Sequence, residues 1–573
     1  MRIRRFILFL SLLIAVLVPG NSISANQSED DKFSKLVGEY LEFQWKNSPL
    51  SATFNGIHTY DDQIDSFSLS AVKEQFDRTR QFVGRIQSEI DRAKLNESNQ
   101  IDFDLIQDSL KAQEFSFTRS HDFEREPSTY PNIVAGIGFL MFSREYAPFE
   151  ERMGNLAKRM EKMPQLLEEG KKNLKNPPKL WTQIAIETTS GAAGLYDQVL
   201  AQAITQLPEA SDARKRFEAA NPKVVAALNS YQQFLEKDLL PRSTGNFADG
   251  RENFVYRLKN FYLIDQSPEE IKAVAQKVLV DTKARMEAEA KKVDANKNWW
   301  EILDEAKKKH GSAEELLPTY KKVTERARQW VLDKKLATIP EEKLDVIETP
   351  QFMRFVTPYA AYFSPAPFEK QQTGYYFVTP VDTSLPEEAK EGKLGEMYID
   401  VENTTVHEAY PGHHLQFIHQ NRLSPIRRMS GSSLLSEGWG LYCERLGEDY
   451  GFYSSPIDSM QAYRWLLIRA VRVLVDVGLH VDGMSYDDAV KMMLDNAKIE
   501  KSGAEAEVRR YTQSPTQPLS YLMGMLMIEQ LREDYHKAKG EDFSMQEFHD
   551  SVMSYGSIPL KIIRESMMKG VSR

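Results

Sequence analysis

The segment HEAYPGHHLQFIH, from His407 to His419, holds four of the chain's ten histidines. Crowded imidazoles suit a transition metal, and hydrolytic zinc sites commonly set two histidines one helical turn apart, with a glutamate after the first as general base. His407 and Glu408 satisfy the first half of that arrangement. One turn on stands Pro411 rather than histidine, and the next imidazoles are His413 and His414. On a straight helix turning about 100° per residue, His414 returns to the His407 face but roughly 10 Å along the axis, and His413 points about 120° away. Pro411 lacks a backbone donor and clashes with the preceding turn, while Gly412 tolerates unusual dihedrals. The spacing therefore predicts a bulge in which Pro411 and Gly412 loop out. His413 then takes the second ligand position, and His414 falls beside the site with His419 at its rim.

A catalytic zinc needs a third protein ligand and one open position. Glu437, in LLSEGWGLYCE, is the strongest candidate: it lies far enough downstream for one helix to end, a turn at Ser430 and Gly431, and a second helix to pack alongside. Glu444 follows two turns later on the same face, where it can hold the remote ring nitrogen of a ligand histidine. One Zn2+ ion is the cofactor these residues imply. Glu408 would take a proton from water and return it to a leaving amine. Tyr521, in PLSYLMG, could donate to developing oxyanion charge, and His480 or Arg510 could meet a substrate carbonyl or carboxylate. His480 reads equally well as a satisfied core histidine, and Tyr521 as a buried tyrosine whose hydroxyl finds some partner. Trp439 and Cys443 read as packing.

Positioning these groups requires a large core, which 573 residues can supply as one large or two intimate domains. With 41% hydrophobic and 27% charged residues the composition is that of a globular protein. Helical periodicity dominates the first half. Val72, Phe76, Val83, Ile86 and Ile90 form one apolar stripe; Met153, Leu156, Met160 and Met163 form another, and Val224, Leu228, Tyr231 and Leu235 a third. Ser267, Pro268 and Glu270 predict a capped helix running through about Glu289, and Ser312 with Glu315 predicts another start. Between Lys343 and Pro380 the texture becomes β-branched, aromatic and proline-broken. Leu344 to Glu348 and Tyr375 to Thr379 read as strands of a short sheet, confined by prolines to edges or strand ends. Tyr376 and its neighbours could then pair with an extended peptide added at a sheet edge. Helical patterns return after Thr404. The expectation is a mainly α fold with a small β-sheet beside the metal site and a substrate cleft. Its parts are a signal peptide over residues 1–25, a helical N-terminal lobe over 26–340 and a zinc-binding lobe over 341–573.

Charge excludes one partner class. The net charge of −10 comes from 83 acidic and 73 basic side chains with no clustered basic stripe, so nucleic acid is not an expected ligand. At the N-terminus, three arginines in Met1 to Arg5 precede the apolar run Phe6 to Val18 and the small, polar Pro19 to Ala25, the pattern of a secretory signal peptide. That run is shorter than the ~20 residues of a spanning helix, so no stable membrane insertion is expected after cleavage. Cys443 is the single cysteine, so no intrachain disulfide forms and none follows the leader to carry a lipid. A periplasmic or secreted protein is expected.

The histidine-glutamate pair followed by proline-glycine-histidine, with the downstream glutamate-glycine-tryptophan, resembles the hallmark of the bacterial domain-of-unknown-function 885 family. RAVRVLVDVGLH (Arg469 to His480) and RRYTQSPTQPLSYLMG (Arg509 to Gly524) extend the likeness, and that family's domain would span nearly all of the mature chain. The family is similar to helical gluzincin peptidases such as thimet oligopeptidase and the thermostable carboxypeptidases. The resemblance implies a zinc peptidase fold, with His407, His413 and Glu437 on the metal and Glu408 as base. It also implies that aromatic or polar residues of the C-terminal motif, Tyr511 among them, face a peptide substrate. Two other readings stay open: a non-catalytic metal- or peptide-binding helical protein, and a metal hydrolase of another amide.

Overall fold

The computed structural model describes residues 28–354, 357 and 359–571. The expected signal peptide lies outside the described residues. Helices carry the fold, and among the described residues three apolar cores organise them. The first is small and joins Phe33, Tyr40, Val83, Ile86 and Phe103. The second joins Met153, Leu156, Met160, Met163, Val224, Leu228, Tyr231 and Leu235, two of the stripes expected from periodicity. The largest joins Ile101 to residues between Phe254 and Met567, among them Leu279, Met286, Tyr320 and Val331. Residues on both sides of position 340 therefore share one core.

Helix starts follow local chemistry. Helix α1 (Pro268–Val293) opens on a capping box in which the Ser267 hydroxyl accepts from Glu270 N–H and the Glu270 carboxylate accepts from Ser267 N–H. Ser312 and Glu315 make the same reciprocal pair ahead of the Ala313–Asp333 helix.

A three-stranded sheet of β1 (Leu344–Glu348), β2 (Ala360–Phe363) and β3 (Gly374–Val378) follows, in the order β1-β3-β2. Tyr376 faces Val346 across a parallel ladder and Tyr362 across an antiparallel one. This overturns the expectation that Tyr376 and its neighbours could take up an extended peptide at a sheet edge, while of the two places open to a proline-bounded strand, edge or strand end, the second is met. Pro380 stands beyond the strand and blocks no ladder bond, so both sides of β3 are taken and the edges belong to β1 and β2.

Helix α2 (Glu387–Glu408) begins well before Thr404. Its first turns carry few apolar residues and two glycines, one of which serves close packing: a Cβ on Gly395 would sit 2.2 Å from the Lys307 carbonyl oxygen. After a break come α3 (His413–Gln420), α4 (Ser433–Asp449), α5 (Pro456–Val477), α6 (Lys501–Gln513) and α7 (Gln517–Lys539). Helix α5 is apolar nearly all round and buried on every face, as a central helix must be. Helices α4 and α7 touch backbone to backbone. A Cβ on Gly438 would lie 2.6 Å from the Gly524 Cα, and one on Gly524 would lie 1.9 Å from the Leu434 carbonyl oxygen. Among the described residues no helix is long and apolar enough to cross a membrane.

One long-range contact ties the N-terminal part to the loop between β2 and β3. The His58 ring meets Asp61 at 2.9 Å and Glu369 at 3.3 Å and stacks on Tyr146 with centroids 3.5 Å apart. Burial alone would push the His58 pKa down, but hydrogen bonds and charge from the two carboxylates raise it to about 9.

Two outcomes follow. Gly524→Ala should cost about 1–3 kcal/mol through overpacking at the α4–α7 crossing, measured by urea unfolding; an unchanged midpoint would contradict the close approach. Because the folded pKa of His58 lies above the usual 6.5, its stabilisation is complete below that pH and is lost as pH rises through about 9. The difference in thermal midpoint between the native chain and His58→Gln should accordingly shrink across that window.

Candidate metal centre

Helix α2 ends at Glu408, four residues intervene, and α3 starts at His413. Within the break Ala409 N–H still reaches the Thr405 carbonyl at 2.9 Å, whereas Leu415 N–H reaches back to Ala409 at 3.4 Å, two residues further than a regular helix spans. The chain is thus bulged at Tyr410–Gly412, with a cis peptide bond at Tyr410–Pro411. The bulge is held from α4: the Trp439 indole N–H donates to the Pro411 carbonyl at 2.9 Å, so this buried tryptophan does more than fill space. Gly412 lies so close beneath His407 that an added Cβ would meet the His407 carbonyl oxygen at 1.8 Å.

The consequence is convergence. One ligand atom from each of His407, His413 and Glu437 lies within 4.8 Å of the other two. Glu437 Oε2 is 3.8 Å from His407 Nε2 and 3.6 Å from His413 Nε2. The imidazoles are perpendicular, with centroids 4.7 Å apart. Side-chain exposures of 10%, 12% and 24% leave the triad sheltered but open on the Glu437 side.

Surrounding groups orient these ligands. His407 Nδ1 contacts Glu444 Oε1 at 2.7 Å, which directs Nε2 toward Glu437. Gly440 makes room, since a Cβ there would fall 2.5 Å from His407 Cε1. Burial would lower the His407 pKa, but Glu437 and Glu444 hold it up at about 10. Burial would raise the Glu437 carboxyl, yet hydrogen bonding and charge from His407 and His413 keep it well below the usual carboxylate range. His413 Nδ1 is buried without a partner. Two imidazoles and one carboxylate are the donor set of a zinc hydrolase, and this geometry accommodates such an ion.

Glu408 follows a ligand directly. Its Oε2 accepts the Tyr362 backbone N–H at 3.1 Å, so edge strand β2 anchors it. His414 turns the other way: fully buried, it contacts the Tyr362 hydroxyl at 3.2 Å through Nδ1, and burial lowers its pKa to about 3. His419 contacts the Thr338 carbonyl at 2.9 Å.

The remaining candidates separate into two groups. His480 Nδ1 accepts the Asp249 N–H at 3.2 Å and Nε2 donates to the Tyr511 carbonyl at 3.0 Å, so both ring nitrogens are committed in a fully buried setting. Tyr376 is buried against Tyr320 and Thr405. Tyr511 is buried too, with its hydroxyl on Glu507. Arg510 binds Gln517 at 2.8 Å and Glu507 at 3.1 Å. Tyr521 stands between the guanidinium groups of Arg469 and Arg472, 4.9 and 5.2 Å from its ring centre. Those two arginines escaped the sequence reading. Their signal was two charges one turn apart in the otherwise apolar stretch LLIRAVRVLV.

Comparison with known proteins agrees with the architecture. Residues 49–567 match the family described as "Bacterial protein of unknown function (DUF885)". A solved structure of a putative lipoprotein of unknown function from Shewanella oneidensis superposes with a TM-score of 0.79 at 24% identity, over 94% of this chain and 99% of that one. A second, described as a putative lipoprotein from Colwellia psychrerythraea, gives a TM-score of 0.79 at 20% identity, over 95% and 100% of the two chains. No curated protein matches.

Glu444→Gln removes the charge that orients His407. The apparent zinc affinity should fall about 10- to 100-fold, as read by competition with a chromophoric chelator.

Proposed function

The chain belongs to the bacterial DUF885 family of proteins of unknown function, and we propose that it is an exported, gluzincin-like zinc peptidase that hydrolyses short peptides. The observation that carries the reading is the convergence of His407, His413 and Glu437, with a carboxylate, Glu408, adjoining the first ligand. Glu408 contributes nothing to the triad, and its place is that of a group that moves protons.

A zinc ion held by the triad would supply Lewis-acid polarisation of the scissile carbonyl and acidify water. Glu408, fixed at Oε2 by the Tyr362 N–H, has its other oxygen to accept a proton from the attacking water and to deliver it to the departing amine. Glu444 keeps His407 in the orientation that presents Nε2. Among the described residues no strand pairs with the outer side of β2, so an extended peptide could add there, next to the base that β2 anchors. Tyr521 is the proposed donor to developing oxyanion charge. The N-terminal leader pattern supports a periplasmic or secreted location, in which a peptide-degrading role would need no disulfide.

The test joins metal analysis of the purified mature protein to mass-spectrometric readout of a peptide library, with and without chelator. Zinc at one equivalent and chelator-sensitive cleavage are expected. Glu408→Gln should retain zinc and lose at least about 100-fold in turnover. Full activity in that variant would remove Glu408 from its role. Bound zinc without cleavage of any peptide would leave a binding protein.

A further inference from the structure

Helix α5 buries two arginines beside the triad, and the molecule compensates only one of them. Arg469 and Arg472 are 7% and 6% exposed. Arg472 is paired with Glu507 at 2.8 Å, and Glu507 also receives Arg510 and the Tyr511 hydroxyl. Arg469 forms no ion pair among the described residues, and its Nε and Nη1 are buried without a hydrogen-bond partner. Aromatic rings hold it instead. Its guanidinium lies 4.5 Å from the ring centre of Trp465 and 4.9 Å from that of Tyr521. The Trp465 indole is fixed in turn by Asp400 at 2.6 Å. An unpaired cation out of water is costly, and such a group normally finds an anion.

Helix α5 packs against α4, which bears Glu437 and Glu444, and against α7, which bears Tyr521. Arg472 is thus within electrostatic reach of Glu437 of the triad, and Arg469 within reach of Glu444, which holds His407. A guanidinium matches a carboxylate with two parallel hydrogen bonds, from Nη2 together with either Nε or Nη1, and Arg469 makes no side-chain hydrogen bond or ion pair among the described residues, so either fork is open to one.

We infer that Arg469, framed by Trp465 and Tyr521 and backed by Arg472, is a subsite for the free C-terminal carboxylate of a peptide. Substrates are then short peptides read from their C-terminal end. The inference rests on the peptidase reading for its ligand class, since the anion that every peptide carries once is its terminal carboxylate.

Binding separates the two readings. The zinc-loaded E408Q variant is titrated with an acetylated alanine tetrapeptide as free acid, as C-terminal amide, and as an amide with glutamate in the last position, followed by tryptophan fluorescence. The same titrations are run after chelation. The free acid should bind about tenfold or more tighter than either amide. Adding R469M should reduce that gap to about threefold or less with zinc content unchanged, and R469K, which keeps charge but not the fork, should fall between. Should R469M not fold, R469K and the acid-to-amide ratio of E408Q carry the decision. Equal binding of acid and simple amide, no binding of any of the three, or a gap that survives the arginine substitutions overturns the subsite. Equal binding of acid and glutamate amide overturns recognition of the terminus. If Arg469 only balances Glu444, R469M will change zinc content and leave the acid-to-amide ratio untouched, which also overturns it. A zinc enzyme that cleaves amidated and free peptides alike refutes the subsite while the peptidase reading stands; a protein without zinc refutes the latter, and the chelated titrations still decide the former.

Discussion

The site depends on one break in a helix. An uninterrupted helix through residues 407–414 would point His407 and His413 about 120° apart. The break at Ala409–Gly412 turns the second imidazole back toward the first, and α4 keeps the break in register by accepting no more than a glycine at position 440 and by donating the Trp439 indole N–H to Pro411. Helix α4 therefore supplies the third member of the triad, Glu437, and also the groups that set the spacing of the first two. Ligand geometry and backbone geometry are fixed by the same interface.

That interface has to be close, which explains the glycines. Side chains of ordinary size at positions 438 and 524 would push α4 and α7 apart, and Glu437 sits next to the crossing. A displacement of an ångström there would be passed directly to a ligand atom whose partners are 3.6 and 3.8 Å away. Interiors packed as densely as crystals transmit such shifts instead of absorbing them. Stability of the helix pair and integrity of the site are consequently coupled.

Electrostatics gives the centre its polarity. Three carboxylates, Glu408, Glu437 and Glu444, surround two imidazoles, and against the lowering effect of burial they raise the His407 pKa to about 10. On the α5 side the sign reverses, with Arg469 and Arg472 packed among Trp465, Tyr511 and Tyr521. The proposed metal site and carboxylate subsite thus lie on faces of opposite charge.

Much of this could be read from the chain. Ser267 with Glu270 and Ser312 with Glu315 set helix starts, because caps act over three residues. The apolar stripes named cores, because burial follows helical period. Pro411 and Gly412 located the break, because both act on their own backbone. The position of β3 could not be read, since whether a strand is central depends on partners distant in sequence. Nor could the start of α2, whose glycine at 395 serves contact with Lys307. His480 and Arg469 show the same limit. A lone histidine or arginine in an apolar run has the same local signature whether its polar atoms are satisfied or free, and only folding showed that His480 spends both nitrogens on Asp249 and Tyr511 while Arg469 keeps two donors unspent. The sequence by itself determined residue types, helix ends and the site of the bulge, which are governed by neighbours along the chain. Tertiary structure alone decided which of those groups meet, because that depends on packing between helices far apart in sequence.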